Sequence, residues 1–180
     1  MRSPIELARV AGGRSAEVPS RRDIRMGRKP MPHSYASIMV HVVFSTRDRK
    51  PQLDATLEER LYPYLGGILR ELGGKLITVN GVEDHIHLLT AMKPTMSVAE
   101  VVGKIKGSSS KWIHEGFPDR SRFAWQRGYA AFSVSDSQVT RVAAYIDRQK
   151  IHHEKVSFRD EFLHLLQRHR ISPDEQYLWT

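Results

Sequence analysis

The sequence predicts an α+β fold: a ferredoxin-like (RRM-like) split βαβ arrangement with an antiparallel sheet, plus a C-terminal helix that carries Tyr145. Two observations support this prediction. Segments with strand-like and helix-like patterns follow one another in the order β-α-β-β-α-β, which is the order of that fold. The chain has 180 residues, of which 40% are hydrophobic, and this is enough to bury the core of one domain.

The first half of the pattern is a strand, a helix and a pair of strands. Residues 35–45 (YASIMVHVVFS) are rich in β-branched and aromatic side chains, which favours a buried strand. Leucines recur at helical spacing over residues 53–72 and predict a helix, which the glycine pair at 73–74 would end. Residues 75–82 and 85–92 then predict two strands joined by a turn.

The second half begins with a helix and the last strand. Ser97 and Glu100 form a capping-box pattern, which predicts the start of a helix running towards His114. A loop is predicted over residues 116–125, where a proline interrupts mixed charges. Residues 129–134 predict the fourth strand and complete the β-α-β-β-α-β series.

Composition excludes several classes of protein. The chain has no cysteine, which excludes disulfides, thiolate zinc sites and cysteine nucleophiles. No apolar run approaches the ~20 residues of a membrane span, and the N-terminal stretch lacks the apolar segment of a secretory signal. We therefore expect a cytoplasmic location and no membrane partner. The formal net charge of +8 indicates a polyanionic partner.

Residues 1–33 are predicted to be a basic, disordered extension, and residues 34–180 to be the functional domain. The first 30 residues hold eight Lys/Arg against three acidic residues and have no sustained apolar period. Such a segment cannot bury enough surface to offset its ordering entropy. Two interpretations stay open: a basic DNA-binding arm, or a non-native stretch ahead of a start near Met26 or Met31.

A His-x-His pair lies in the third predicted strand. Side chains alternate between the two faces of a strand, so His85 and His87 share one face while Ile86 and Leu88 point to the helices on the other. Two neutral imidazoles with added oxygen ligands suit Mn, Mg or Zn. In each ring the second nitrogen must donate its N–H group to a neighbour, and the acidic residues at 83–84 are available as acceptors.

A tyrosine and a glutamine are spaced one helical turn apart after the fourth strand. The capping-box pattern at 135–138 predicts where this helix begins, and Tyr145 and Gln149 would share one of its sides. With the histidine pair they would form a metal site, ligated in part by Gln149, beside an oxygen nucleophile. That is the minimum for cutting a phosphodiester through a covalent tyrosine intermediate. The alternative is a packing tyrosine whose hydroxyl faces water. A final helix is predicted over residues 158–168.

Basic residues near the predicted site are candidates for DNA binding. Lys104 and Lys111 lie seven residues apart and share a helix face, with Lys106 nearby, and Arg47 follows the first strand. Cations of this kind bind phosphate oxygens. The alternative is a solvated helix face.

Five segments, in order, carry a resemblance to a known family: HVVFSTRDRKP, GVEDHIHLL, KGSSSKW, FAWQRGYAAFSVS and YIDRQKIHH. They closely resemble the single-tyrosine HUH transposases of bacterial insertion sequences, over residues 31–180. The resemblance implies a homodimer that acts on single-stranded DNA with hairpins at the element ends, with Mg²⁺ or Mn²⁺ and with active sites shared between subunits. His85, His87 and Gln149 correspond to the metal ligands. Tyr145 corresponds to the nucleophile that forms a 5′-phosphotyrosine bond.

Two other functions are compatible with the sequence. A domesticated relative would process repetitive palindromic DNA with the same residues and without mobilising itself. A non-catalytic RNA-binding module would use the same strand order, but it needs aromatic and basic residues on the central strands. The presence of His85 and His87 on the third strand argues against that last function.

Overall fold

A four-stranded antiparallel sheet with helices on both faces makes up the described part of the chain, residues 35–174 of a computed structural model. The strands are β1 (Met39–Ser45), β2 (Lys75–Val82), β3 (His85–Ala91) and β4 (Ala130–Val134). The helices are α1 (Ala55–Glu71), α2 (Val98–Gly116), α3 (Val139–Asp147), α4 (Gln149–His153) and α5 (Phe158–Arg168). The strand order is β2-β3-β1-β4, with every neighbouring pair antiparallel, which confirms the ferredoxin-like prediction. The predicted extension at 1–33 lies outside the described residues.

The main hydrophobic core lies between one face of the sheet and helices α1 and α2. Alternate residues of β1 and β3, among them Phe44, Ile86 and Leu88, point into it and are buried. The helix ends follow the sequence prediction. Ser97 and Glu100 form the capping box that opens α2, and Gly73 ends α1 with a φ of +75°, a conformation that glycine adopts without steric cost.

Helices α3, α4 and α5 cover the opposite face of the sheet. Helix α3 packs against β2 and β3, and α4 packs against β2. A smaller apolar cluster joins α5 to β1 and β4, and its buried members are Val43, Ala130, Phe132, Phe158, Leu165 and Leu166. The sheet face that an RNA-binding module would need to expose is therefore covered within residues 35–174. None of the helices described here has both the length and the apolar character needed to cross a membrane.

Two local predictions around α3 are wrong. The Ser135 side chain caps no helix; it lies 3.1 Å from the Ser137 hydroxyl, and a 3₁₀ turn precedes α3. The helix predicted to run through both Tyr145 and Gln149 is also interrupted, because α3 ends at Asp147 and α4 begins at Gln149. The break falls at Arg148, whose φ of −98° and ψ of 11° depart from the helical values. Beside it, the Asn80 amide on β2 donates to the Asp147 carbonyl at 2.8 Å.

Candidate active site

The two histidines of the His-x-His pair lie on the central strand β3, on the face covered by α3, α4 and α5. His85 and His87 are both fully buried. Ile86 and Leu88 point to the opposite core, as the alternation of the strand predicts.

A hydrogen-bonding partner occupies the Nδ1 atom of each of these rings. Nδ1 of His85 lies 2.7 Å from Asp84 Oδ1, and because a carboxylate only accepts, the ring donates its N–H. Arg49 in turn holds Asp84 Oδ2 at 3.0 Å. Nδ1 of His87 lies 3.0 Å from Nε2 of His41 on β1. The prediction of an acidic partner is therefore confirmed for Asp84, whereas sequence reasoning missed His41.

The end of α3 brings the tyrosine to the histidine pair. The Thr78 hydroxyl of β2 donates to the Asp147 carboxylate, and Asn80 binds the carbonyl of the same residue. With α3 anchored in this way, the Tyr145 ring lies 6.0 Å from the His87 ring, centroid to centroid. Gln149, at the start of α4, is fully buried. The histidine pair, the tyrosine and the glutamine thus meet within one chain.

A carboxylate that sequence reasoning missed lies at the centre of the site. Glu161 on α5 is buried, and its Oε1 atom accepts hydrogen bonds from the Tyr145 hydroxyl and, at 2.8 Å, from the Gln149 amide. Its Oε2 atom lies 3.4 Å from His87 Nε2 and 3.6 Å from His85 Nε2. The only available signal was a glutamate on the buried side of a predicted helix, which does not reveal its partners.

A third histidine faces the same point from α4. Nε2 of His153 lies 3.0 Å from Glu161 Oε2 and 3.0 Å from His85 Nε2. One ligand atom from each of His85, His87, His153 and Glu161 lies within 4.8 Å of all the others. This cluster, which we call the His/Glu cluster, could hold a metal ion.

Burial and the interactions of the Glu161 carboxylate have opposing effects on the pKa values of His87 and Glu161. Burial lowers the pKa of His87 to about 4, against the attraction of Glu161, so the ring is neutral at pH 7 and keeps a lone pair. Burial disfavours the charged form of Glu161, but its interactions with His153, His85 and His87 together lower its pKa. Burial, the negative charge of Glu161 and the hydrogen bond to it raise the pKa of Tyr145. The tyrosine is therefore a neutral phenol in this arrangement.

Two buried atoms support a cation at this site. Nε2 of His87 and Oε1 of Gln149 make no hydrogen bond in the described part of the chain. A buried polar atom without a partner costs about 1–3 kcal/mol, and a cation bound between imidazole and amide oxygen ligands would remove that cost. The residues present therefore fit a divalent metal.

A cleft leads from the protein surface to the tyrosine. Its volume is about 820 Å³, and it runs between β4, α3 and α5. Tyr145 and Glu161 line its inner part, and Arg141, Arg168 and His169 contribute basic groups to its walls. Sequence reasoning did not single out these basic residues, because they are far apart along the chain.

The four basic residues predicted to bind DNA lie away from this cleft. Lys104, Lys106 and Lys111 are on α2, in the layer on the other side of the sheet. Lys104 and Arg47 are exposed, and Lys111 lies 3.8 Å from Glu115. Lys106 instead donates to backbone carbonyls of the loop before β4. The structure does not bring these four residues together with Tyr145.

Comparisons with known proteins find one family with a similar sequence. Residues 34–149 match the sequence model of the family described as "Transposase IS200 like". The transposase for insertion sequence element IS200 of Salmonella typhimurium is 29% identical over 130 residues, which cover 67% of this chain and 82% of the relative.

Two solved structures share the fold. A protein from Deinococcus radiodurans R1 has a TM-score of 0.56 at 22% identity, over 67% of this chain and 97% of that one. The second structure is a REP-associated tyrosine transposase bound to a REP hairpin, with a TM-score of 0.52 at 15% identity, over 70% of this chain and 74% of that one.

Proposed function

Because the chain belongs to the family of IS200-like transposases, we propose that it nicks and rejoins hairpin-containing single-stranded DNA through a covalent 5′-phosphotyrosine intermediate. The observation that carries this proposal is the position of Tyr145. Its ring lies 6.0 Å from the ring of His87, and its hydroxyl donates a hydrogen bond to the buried carboxylate of Glu161. A nucleophile, a carboxylate that orients it and a cation site in one small volume are the parts that the reaction needs.

In the proposed cleavage step the Tyr145 oxygen attacks the scissile phosphorus. A bond forms between that oxygen and phosphorus, the bond from phosphorus to the 3′-oxygen breaks, and the tyrosine keeps the 5′-phosphate. Glu161 Oε1 accepts the hydrogen bond of the phenol and orients its oxygen, and the phenol proton passes to water as the new bond forms. The departing 3′-oxygen takes up a proton from water and is freed as a 3′-hydroxyl. In the joining step this hydroxyl loses its proton to water as its oxygen bonds to the phosphorus of a partner joint's phosphotyrosine. The bond from phosphorus to the tyrosine oxygen breaks and that oxygen is reprotonated, so strands are exchanged without ATP.

The metal site proposed for this reaction comprises His85, His87 and Gln149. The neutral imidazole of His87 and the free Oε1 atom of Gln149 support this assignment. When bound there, Mg²⁺ or Mn²⁺ would polarise the scissile phosphate and offset the negative charge that keeps the phenol protonated. Asp84 and His41 fix the orientation of the two imidazoles by binding their Nδ1 atoms.

The DNA is proposed to enter through the cleft beside Tyr145. Arg141, Arg168 and His169 on its walls can bind phosphate oxygens along such a path. The sequence predicts Lys104, Lys111 and Arg47 to bind DNA near the site; since they lie away from Tyr145, they would contact more distant parts of the strand. A hairpin substrate is supported by the REP hairpin bound to the structural neighbour. The homodimer stays a prediction. In the single chain, the Tyr145 ring already lies near the His87 ring, so this contact does not require a second subunit.

The domesticated relative is the second candidate, because a REP-associated protein has the same fold. Both candidates use the same catalytic groups, so the chemistry of the site does not distinguish them. The DNA that flanks the gene does: matched hairpin ends favour a mobile element, and scattered palindromic repeats favour a domesticated enzyme.

The test is transfer of label from DNA to protein. Single-stranded DNA from the flanks of the gene, labelled at its 3′ end, is incubated with protein and Mn²⁺ or Mg²⁺, and the protein is then denatured and separated. We expect a metal-dependent labelled adduct with the wild type and none with Tyr145→Phe, which keeps DNA binding. An adduct that persists in Tyr145→Phe would refute the assignment of the nucleophile. Label that transfers only from the 5′ end would refute the proposed polarity.

A further inference from the structure

Three imidazole nitrogens and one carboxylate oxygen converge on a point between β3, α4 and α5. Nδ1 of His85 donates to a carboxylate, and Nδ1 of His153 donates to the Val156 carbonyl at 2.8 Å. Each neutral ring has one N–H only. With both rings neutral, their Nε2 atoms would carry lone pairs that face each other 3.0 Å apart. Burial by itself would lower the pKa of His153, but its hydrogen bond to Glu161 raises it, so without a metal a proton between His153 and Glu161 relieves this contact.

This arrangement requires a positive centre. Two facing lone pairs repel each other, and Glu161 Oε2 brings a negative charge to within 3.0 Å of His153 Nε2 and 3.4 Å of His87 Nε2. A cation, or a proton in its place, turns these repulsions into attractions. The sequence alone gave no reason to expect this convergence, because the four residues come from three separate elements.

The separations between these atoms match those around a bound divalent ion. Bonds of about 2.0–2.2 Å hold neighbouring ligand atoms roughly 2.8–3.6 Å apart, whether the ligands meet at right angles or at tetrahedral angles. Four of the six separations in the His/Glu cluster run from 3.0 to 3.6 Å, and the other two, from His87 to His85 and to His153, are within 4.8 Å. Little rearrangement is needed to place an ion there.

We propose that Glu161 and His153 are ligands of the divalent cation, in addition to the His85–His87 pair. The inference rests on the proposed function and deepens it, because it adds two protein ligands to the same metal. Glu161 then has two tasks. Its Oε2 atom faces the ion, while its Oε1 atom holds the Tyr145 hydroxyl and the Gln149 amide. One carboxylate thus ties the nucleophile to the metal.

The ligand set bears on the choice of metal. Three imidazoles suit Zn²⁺, Co²⁺ or Mn²⁺ better than Mg²⁺, which prefers oxygen ligands. We therefore expect the chain to bind Co²⁺ and Mn²⁺ more tightly than Mg²⁺ at pH 7.5. The carboxylate keeps some affinity for the harder ions.

The first experiment titrates Co²⁺ alone into the full-length protein, without DNA, and follows visible absorption and calorimetric heat. Glu161→Gln replaces the charged carboxylate by a neutral amide, a weaker ligand of nearly the same size, and His153→Asn removes the imidazole in favour of a smaller amide side chain. The matched controls are Glu154→Gln and His164→Asn, exposed residues on or beside the same helices. His87→Asn is the reference for loss of a ligand from the pair.

The expected result is at least a tenfold weaker affinity for Co²⁺ in Glu161→Gln and in His153→Asn, with both controls unchanged. Wild-type affinity in those two variants, with affinity lost in His87→Asn, would overturn this inference and leave the proposed three-ligand site intact. Wild-type affinity in His87→Asn as well would instead overturn the metal site under the proposed function.

A second measurement uses the wild type, so it does not depend on the folding of a variant. The protein is labelled with ¹⁵N in its histidine rings and loaded with ¹¹³Cd²⁺. We expect three ring nitrogens to show coupling to the metal nucleus, assigned to His85, His87 and His153. Coupling from two nitrogens only would exclude His153 as a ligand.

Discussion

Replacing Lys106 separates a structural role from the DNA-binding role that the sequence predicts. The Lys106 ammonium group donates to three successive carbonyls in the loop before β4, those of Gln126, Arg127 (3.0 Å) and Gly128 (2.8 Å). It also lies 5.4 Å from the centroid of the Phe44 ring. Lys106→Met keeps the apolar stem over that ring and removes only the charged donor.

The size of the effect follows from the exposure of the three carbonyls. A hydrogen bond from a charged donor contributes about 1.5–3 kcal/mol when it is buried. The contacts with Arg127 and Gly128 are exposed, so water can replace the ammonium group there, whereas the contact with Gln126 is partly buried. We therefore expect Lys106→Met to lower the free energy of unfolding by about 1–2 kcal/mol.

The assay is urea unfolding of both the wild type and the variant, followed by circular dichroism. The exposed Lys104 on the same helix supplies the matched control, because Lys104→Met removes the same charge without removing a buried contact. Its stability should stay within about 0.5 kcal/mol of the wild type. Equal midpoints for Lys106→Met and wild type would refute the structural role. Weaker binding of single-stranded DNA at unchanged stability would then support the DNA-binding role.

Three further predictions concern the site and its cleft. Arg141→Ala should weaken binding of single-stranded DNA several-fold and reduce its salt dependence, because it removes one phosphate contact; filter binding at several salt concentrations measures this, and an unchanged salt slope would exclude a contact. Asp84→Asn should weaken Mn²⁺ affinity about 10–100-fold, because an amide is a weaker acceptor for the Nδ1–H group of His85; wild-type affinity by calorimetry would count against this orientation. Finally, burial and repulsion from His87 lower the pKa of His41 from 6.5 to about 3, so the unfolded chain binds more protons between those values and stability falls as pH falls through that range. Between pH 7 and pH 5 this ring lowers the free energy of unfolding by about 2 kcal/mol. Urea unfolding of the metal-free protein should therefore show a smaller pH dependence in His41→Leu than in the wild type, by about that amount. An identical pH dependence would show that the ring does not titrate in this way.

The sequence by itself determined where side chains point within each element. The two-residue period of β3 gave the buried face of Ile86 and Leu88 and, opposite it, the shared face of His85 and His87. Ser97 and Glu100 lie three residues apart, so their capping box could be found without any knowledge of the fold. The prediction that Tyr145 meets the histidine pair came from the resemblance and the spacing together, and the structure brings them together.

Only the tertiary structure decided which elements meet. Helix α3 ends at Asp147, whose carbonyl is bound by Asn80 of β2, and Tyr145 and Gln149 lie in two separate helices. Glu161 and His153 reach the histidine pair because α4 and α5 fold back over the sheet, a path that depends on packing and not on any local period. Local patterns arise from backbone geometry that repeats within a few residues, whereas a site built from distant segments depends on how whole layers bury their apolar faces.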